Sequence, residues 1–261
     1  MGQLTDKVAL VLGAAGKDNM GQTIARKYAS EGAKVVVAGR HEEALAELAS
    51  EIGGAWVCCD ITDKEAIEAM VSYSTQTYGR LDIAVNATGW GLVKRFTNTT
   101  AQDLEKIIAL QFTGPFQFFQ VLVDAMGEGG SIIQISSATA TIMMDNHAAY
   151  MGTKAGLDHV VRCVAYEYGK KGIRVNSISP GITESPMTAQ TFQNPAMVET
   201  FKQCYPLGRL GTSADIAHAA VFLASDGCFI TGENLQVNGG LTLRGNPSSQ
   251  EIVAALAADG K

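Results

Sequence analysis

No apolar stretch in this 261-residue chain approaches the roughly 18 residues that a membrane span requires, so a membrane-spanning protein is not expected. No run of Lys or Arg stands out either. The 20 basic residues are scattered among 26 acidic ones, which gives a net charge of −6. That balance argues against nucleic acid or an anionic membrane as the main partner. No basic segment followed by an apolar one opens the chain, so no signal peptide is expected. There is no CxxC, and the cysteines number five: 58, 59, 163, 204 and 228. An odd count without paired spacing predicts a cytoplasmic protein with free thiols. Cys58-Cys59 lies in an apolar run and reads as buried strand. The histidines, at 41, 147, 159 and 218, lie far apart, so no metal site is expected. No repeat or low-complexity linker divides the chain. With 46% hydrophobic residues, 1–261 reads as one domain with one large core.

What is present is an alternation of short apolar runs with helix-length segments. The runs are 8–13, 34–39, 55–60, 81–86, 131–136, 173–179 and 234–237, rich in Val and Ile and bounded by Gly, Asp or Asn. Strands apolar on both faces belong in a parallel sheet covered by helices. Helical stretches fall at about 21–31, 41–52, 64–78, 102–126, 148–170 and 213–225. The alternation predicts an α/β fold: a single-domain, doubly wound parallel sheet of the Rossmann type, about seven strands with helices on both faces. The longest irregular region, about 181–211, follows the sixth strand and carries Pro186, Pro195 and Pro206. A loop there lies outside the strand C-termini, where such sheets bind ligands, and is expected to act as a lid.

The first strand runs directly into Gly13-Ala-Ala-Gly16-Lys17-Asp-Asn19-Met-Gly21, and a helix follows. Glycines there let backbone N–H groups approach a pyrophosphate, and the helix N-terminus adds its positive end. The second strand ends at Ala38-Gly39-Arg40. An acidic residue at that point would bind the free 2′-hydroxyl of NAD. Gly39 stands there instead, and Arg40 and Lys17 offer cations to a 2′-phosphate. The expected cofactor is therefore NADP(H).

Tyr150 and Lys154 form Tyr-x-x-x-Lys, which places both on one helix face. The cation can then favour the phenolate. Moving a tyrosine pKa from about 10 to about 7 needs roughly 4 kcal/mol, which an ammonium and a charged nicotinamide ring together could supply. Ser137 ends a strand thirteen residues earlier.

In this company the chain resembles the short-chain dehydrogenase/reductase family. The resemblance rests on Gly130-Ser-Ile-Ile-Gln-Ile-Ser-Ser137 followed by Ala-Ala-Tyr150-x-x-x-Lys154. It rests further on Asn86-Ala-Thr-Gly89, on Arg174-Val-Asn-Ser-Ile-Ser-Pro180-Gly181, on Pro206-Leu-Gly-Arg-Leu-Gly, and on Ile230-Thr-Gly with Val237-Asn-Gly-Gly240, and it spans about 6–241. It implies that Tyr150 is the general acid in reduction and base in oxidation. Lys154 holds the nicotinamide ribose, and Ser137 donates a hydrogen bond to the substrate oxygen. Asp60, with Ile61 beside it, falls where the family holds the adenine. Asn86, Gly89, Pro180, Gly181, Thr183 and Ser185 fall elsewhere along the cofactor. Two positions depart from the family pattern. The glycine loop is two residues longer, with Asn19 in place of the middle glycine; Asn tolerates left-handed backbone angles. Gln111 stands where the family has the Asn that helps hold a proton-relay water.

The resemblance implies an NADP(H)-dependent oxidoreductase that interconverts a ketone and a secondary alcohol, on a hydrophobic cyclic or 3-oxoacyl-type substrate. The alternative is a catalytically weak NADP(H)-binding sensor or scaffold. An epimerase or dehydratase, which shares Tyr-x-x-x-Lys, is usually longer. Trp90, Phe96, Ile142, Met143 and Met144 are candidates for an apolar pocket, and His147 for packing near Tyr150. Apolar residues in excess on 102–126 and 148–170 predict a homo-oligomer, a tetramer by family habit. The extension 242–261 carries a capping box at Ser248 and Glu251. Ile252, Val253 and Leu256 then form a stripe expected to dock, at a subunit interface.

Overall fold

Val8–Leu12 is apolar at every position, and the structure buries all five side chains as the interior strand β1. The structure is a computed structural model that describes residues 2–259. The strands that follow are β2 (Lys34–Gly39), β3 (Ala55–Cys58), β4 (Ile83–Asn86), β5 (Gly130–Ile135), β6 (Ile173–Pro180), β7 (Thr183–Glu184), β8 (Gly211–Thr212) and β9 (Asn234–Val237). Seven of them make one parallel sheet in the order β3-β2-β1-β4-β5-β6-β9. Its two edge strands, β3 and β9, are the partly exposed ones.

Alternate residues of each strand face opposite sides, which gives two apolar layers. Ala9, Val11, Val35, Val37, Val85 and Ile133 meet α1 (Met20–Ser30), α2 (Glu42–Ile52) and α9 (Ser213–Ala224). Leu10, Leu12, Val36, Ala84 and Ile132 meet α3 (Lys64–Tyr78), α5 (Gly114–Met126) and α6 (Ala148–Tyr168). Strand order reverses between β1 and β4. The crevice at their C-terminal ends is where such sheets bind ligands.

Four sequence expectations change. The helix expected over 102–126 is three pieces: α4 (Ala101–Ile108), a wide π turn (Ala109–Thr113) and α5. Pro115 lacks the N–H that a regular helix would offer to the Gln111 carbonyl, and π turns collect at such breaks. Gly114 lets this kink sit on the turn after β3: a Cβ there would lie 2.2 Å from the Ile61 carbonyl oxygen.

The region 181–211 is ordered rather than irregular. It holds the β7–β8 pair, α7 (Ala189–Phe192) and α8 (Pro195–Lys202). Pro195 sits at the first turn of α8, where a missing N–H costs nothing, and the Asn194 side chain accepts from Met197 N. Cys58 is exposed at the end of β3, so of the Cys58-Cys59 pair Cys59 alone is buried.

The tail helix α10 (Ser249–Asp259) packs against α8 of the same chain. Its capping box forms as expected, with Ser248 N and Oγ each 2.7 Å from Glu251 Oε2. Only Ile252 of the expected stripe enters the apolar cluster around Phe201, Tyr205 and Leu241; Val253 and Leu256 stay exposed.

Candidate active site

Ser137 follows β5 directly, and its backbone is extended. Its hydroxyl shares a 2.8 Å hydrogen bond with Thr139 Oγ1, and its carbonyl accepts from Ser179 Oγ at 3.0 Å. Tyr150 and Lys154 lie one turn apart on α6, with the Lys154 ammonium 5.7 Å from the Tyr150 ring centroid. Lys154 is 4% exposed and donates to the Ile135 carbonyl at 2.8 Å. The ring of His147 packs edge-on against Tyr150. The three residues singled out in the sequence thus meet at the C-terminal ends of β4 and β5.

Burial sets their ionisation. It pushes the Lys154 amine down to about 8, against the pull of Asp158. It raises the Tyr150 phenol, opposed by the hydroxyl of Ser137. The expected phenol near 7 is therefore not a property of the chain alone, because desolvation of the phenolate outweighs its neighbours. Held protonated, Tyr150 is a proton donor.

Gln111 comes to the site but as a brace. It is 2% exposed, Oε1 accepts from Trp90 N at 2.9 Å, and Nε2 donates to Thr153 Oγ1 at 2.9 Å. Thr153 in turn donates to the Tyr150 carbonyl. Both ends of the amide are thus engaged in joining the Trp90 loop to the helix of Tyr150. A Cβ on Gly89 would lie 3.3 Å from Gln111 Oε1 and 3.8 Å from Lys154 Nζ, so this glycine allows the β4 loop to close on the cation.

The glycine loop turns between β1 and α1. Gly13 has φ +97, and a Cβ on Gly21 would meet the Gly13 carbonyl oxygen at 2.5 Å. Asn19 does not take the left-handed conformation: its φ is −79, and Asp18 beside it has φ +54. Asn19 caps the helix instead. Its Oδ1 accepts from Gln22 N at 2.9 Å and its Nδ2 donates to the Gly13 carbonyl at 2.8 Å. This cap accounts for the longer loop: the amide side chain closes a turn that a glycine would otherwise make. The backbone N–H groups of Gly16, Lys17, Met20 and Gly21 donate to nothing among the described residues. Unspent donors at a helix N-terminus suit a pyrophosphate.

Arg40 and Lys17 are exposed beside this loop. Arg40 Nη1 is 3.9 Å from Asp60 Oδ2, too long to commit the guanidinium, while Asp60 Oδ1 accepts from Thr62 N and Oγ1. The Ile61 side chain is buried in the core. Asn86 is spent inside the fold, donating to Gln134 Oε1 at 2.8 Å and accepting from Thr88 N and Oγ1. Pro180 closes β6, and Gly181 lies against the Tyr205 hydroxyl, which accepts from Ile182 N. Thr183 Oγ1 donates to the Gly181 carbonyl, and Ser185 shares a bond with Thr188. The polar side chains of Asn86, Thr183 and Ser185 are thus engaged within the fold.

Phe96 and Met143 are exposed, whereas Ile142 and Met144 pack with Ile182, Phe192 and Met197 around Phe201. Trp90 carries the Lys106 ammonium over its ring at 4.4 Å. Sequence reasoning missed Thr153, Gln134, Ser179 and Asp158. All are ordinary polar residues inside apolar elements, and that placement was the available signal.

A family model described as Enoyl-(Acyl carrier protein) reductase matches residues 13–242. The chain is 34% identical over 250 residues to D-threitol dehydrogenase of Mycolicibacterium smegmatis, covering 93% of this chain and 95% of that one. It is 32% identical over 247 residues to NAD-dependent glycerol dehydrogenase of Listeria innocua, covering 92% and 96%. A solved short-chain type dehydrogenase/reductase from Mycobacterium ulcerans superposes with a TM-score of 0.89 at 30% identity, covering 94% of this chain and 92% of that one.

Proposed function

The chain belongs to the short-chain dehydrogenase/reductase family, and on that premise we propose that it is an NADP(H)-dependent enzyme interconverting a ketone and a secondary alcohol. The observation that carries the reading is the convergence of Ser137, Tyr150 and Lys154 at the C-terminal end of β5, one strand from the crevice where strand order reverses. The nicotinamide, when bound, supplies or accepts the hydride. The rest falls to the chain. Negative charge gathers on the carbonyl oxygen as it is reduced, and the Ser137 hydroxyl is a fixed donor for it. The protonated Tyr150 phenol gives that oxygen its proton. Lys154, held by the Ile135 carbonyl, keeps a positive charge beside the phenolate left behind.

Gly16, Lys17, Met20 and Gly21 would hold the pyrophosphate through their backbone. Arg40 and Lys17 would hold the 2′-phosphate, with Asp60 and Ile61 at the adenine. NADP(H) is favoured because Gly39 leaves no carboxylate for a 2′-hydroxyl. The NAD-dependent glycerol dehydrogenase relative supplies the second reading, NAD(H). The substrate side is apolar. Met187 reaches to within 3.7 Å of where a Gly91 Cβ would stand, and Ile142, Met144 and Ile182 pack on the apolar cluster around Phe201. That favours a hydrophobic cyclic ketone or a 3-oxoacyl substrate, while two relatives are named for polyols. The exposed side chains of Leu104, Ile108 and Phe116 on α4 and α5 favour a homo-oligomer, a tetramer, which light scattering would measure.

The test is a panel assay that follows absorbance at 340 nm. Reduction of cyclic ketones and 3-oxoacyl esters, and oxidation of polyols, are run with each cofactor. Turnover with NADPH on a ketone supports the reading. Turnover confined to NADH and polyols would replace both of its finer parts.

A further inference from the structure

Behind the catalytic lysine stands a carboxylate with no part in the chemistry described so far. Asp158 lies one turn beyond Lys154 on α6, on the same face, and is 7% exposed. Three neutral donors from three strands converge on it. Ser177 Oγ of β6 donates to Oδ1 at 2.6 Å, while Ser136 Oγ, from the end of β5, and Asn234 Nδ2 of β9 donate to Oδ2 at 2.8 and 2.5 Å. Burial raises the Asp158 carboxyl above its usual range, and the Ser177 and Ser136 hydroxyls oppose that rise, because donors favour the ionised form and a protonated acid would find too few acceptors there.

Its place is specific. Lys154 holds the carbonyl of Ile135, Asp158 holds the hydroxyl of Ser136, and Ser179 holds the carbonyl of Ser137. Three successive residues leading to the substrate-facing hydroxyl are thus each tied down, two of them by opposite charges one helical turn apart. The charged groups acting on Asp158 are Lys154 and Arg162, both on α6; β5, β6 and β9 present it only hydroxyls and an amide.

We propose that Asp158 is a positioning residue of this active site: it anchors the Ser137 strand end to α6 through Ser136 and keeps Lys154 a cation. This inference rests on the assignment of Ser137, Tyr150 and Lys154 made above. Burial drives the lysine toward neutrality, and a fixed anion opposes it; without the anion, the ammonium that supports the Tyr150 phenolate is lost at a lower pH.

The experiment needs no substrate. Protein labelled with 13C at lysine Cε is titrated by NMR, and the Lys154 signal is the one absent in Lys154→Met. In Asp158→Asn the Lys154 pKa is expected to fall, because the opposite charge one helical turn away is lost. Asp158→Glu is expected to restore it in large part. Coupling is reciprocal. Should Asp158→Asn fail to fold, Lys154→Met must raise the Asp158 pKa by the same amount, read from 13Cγ-labelled aspartate, the signal being the one that moves in Ser177→Ala. An unmoved Lys154 in folded Asp158→Asn, or an unmoved Asp158 in Lys154→Met, would overturn the proposal. Failure of the wider assignment looks different: Tyr150→Phe would then keep its turnover whatever Lys154 does.

Discussion

Replacing Gln111 with Leu separates two roles that the sequence left joined. Gln111 is 2% exposed and its amide makes two hydrogen bonds, a partly buried one from Trp90 N and a buried one to Thr153 Oγ1. Leucine fills much of the same space but accepts nothing. Trp90 N–H loses its acceptor, at about 1–3 kcal/mol for a buried donor, and the lost bond to Thr153 adds about 0.5–1.5 kcal/mol. Thr153 keeps its own bond to the Tyr150 carbonyl, which limits the damage. The expected loss is about 2–4 kcal/mol. For a chain of this length that lowers the melting temperature by roughly 4–15 °C. Urea unfolding with an unchanged slope, together with calorimetry, measures it. Activity well below the melting point should fall modestly, because the proton donor and the cation stay in place. A variant as stable as the wild type within about 0.5 kcal/mol, yet nearly inactive, would show that the amide serves the reaction and not the fold.

Arg40→Ala should raise the Michaelis constant for NADPH by roughly ten- to a hundredfold, the loss of one charge-assisted contact of about 1.5–3 kcal/mol, and leave NADH kinetics nearly unchanged. Equal effects on both cofactors would place Arg40 away from the 2′-phosphate. Truncation after Gly245 removes the 2.6 Å bond from Ser249 to Asp145 and the bond from Asn246 to the Met143 carbonyl, both onto the loop that leads to Tyr150. It should raise the substrate Michaelis constant and lower the melting temperature while leaving oligomeric state, read by light scattering, unchanged. Lys154 gives a pH dependence with a definite sign. Its pKa falls from 10.5 unfolded to about 8 folded, so between these values the unfolded chain binds the extra proton. The cost of burying the cation is full below about pH 8 and is relieved as pH rises toward 10.5, a change of about 3 kcal/mol. Denaturant titrations of wild type and Lys154→Met across that window should show the wild type gaining relative stability with pH.

The sheet was legible because its strands carry unbroken apolar runs. Val8–Leu12 and Lys34–Gly39 fall where runs of Val, Leu and Ala ending in glycine placed them. The proposed catalytic set of Ser137, Tyr150 and Lys154 stood out as a pattern because chemistry fixes the residue types and helical spacing fixes the Tyr150–Lys154 distance. Asn19 was located correctly and its role misread. Whether an amide tolerates a positive φ or caps a helix depends on where its oxygen finds an N–H, which only the folded loop decides. The π turn at Gln111 was hidden because Pro115 reads equally well as a helix stop or as an early helical residue. Asp158 was hidden for a different reason. Its partners Ser136, Ser177 and Asn234 lie 22, 19 and 76 residues away, and no local pattern joins them. The tail showed its cap, since Ser248 and Glu251 are near neighbours, but not its seat, since α8 had been read as loop.

The central claim is that Tyr150 gives the proton at a site where the cofactor and the substrate oxygen meet. Tyr150→Phe tests it most directly, assayed on whichever ketone of the panel turns over and paired with fluorescence titration of the reduced cofactor. The account predicts that turnover falls by about a hundred- to ten-thousandfold while cofactor affinity is almost unchanged. Near-normal turnover in Tyr150→Phe would contradict it.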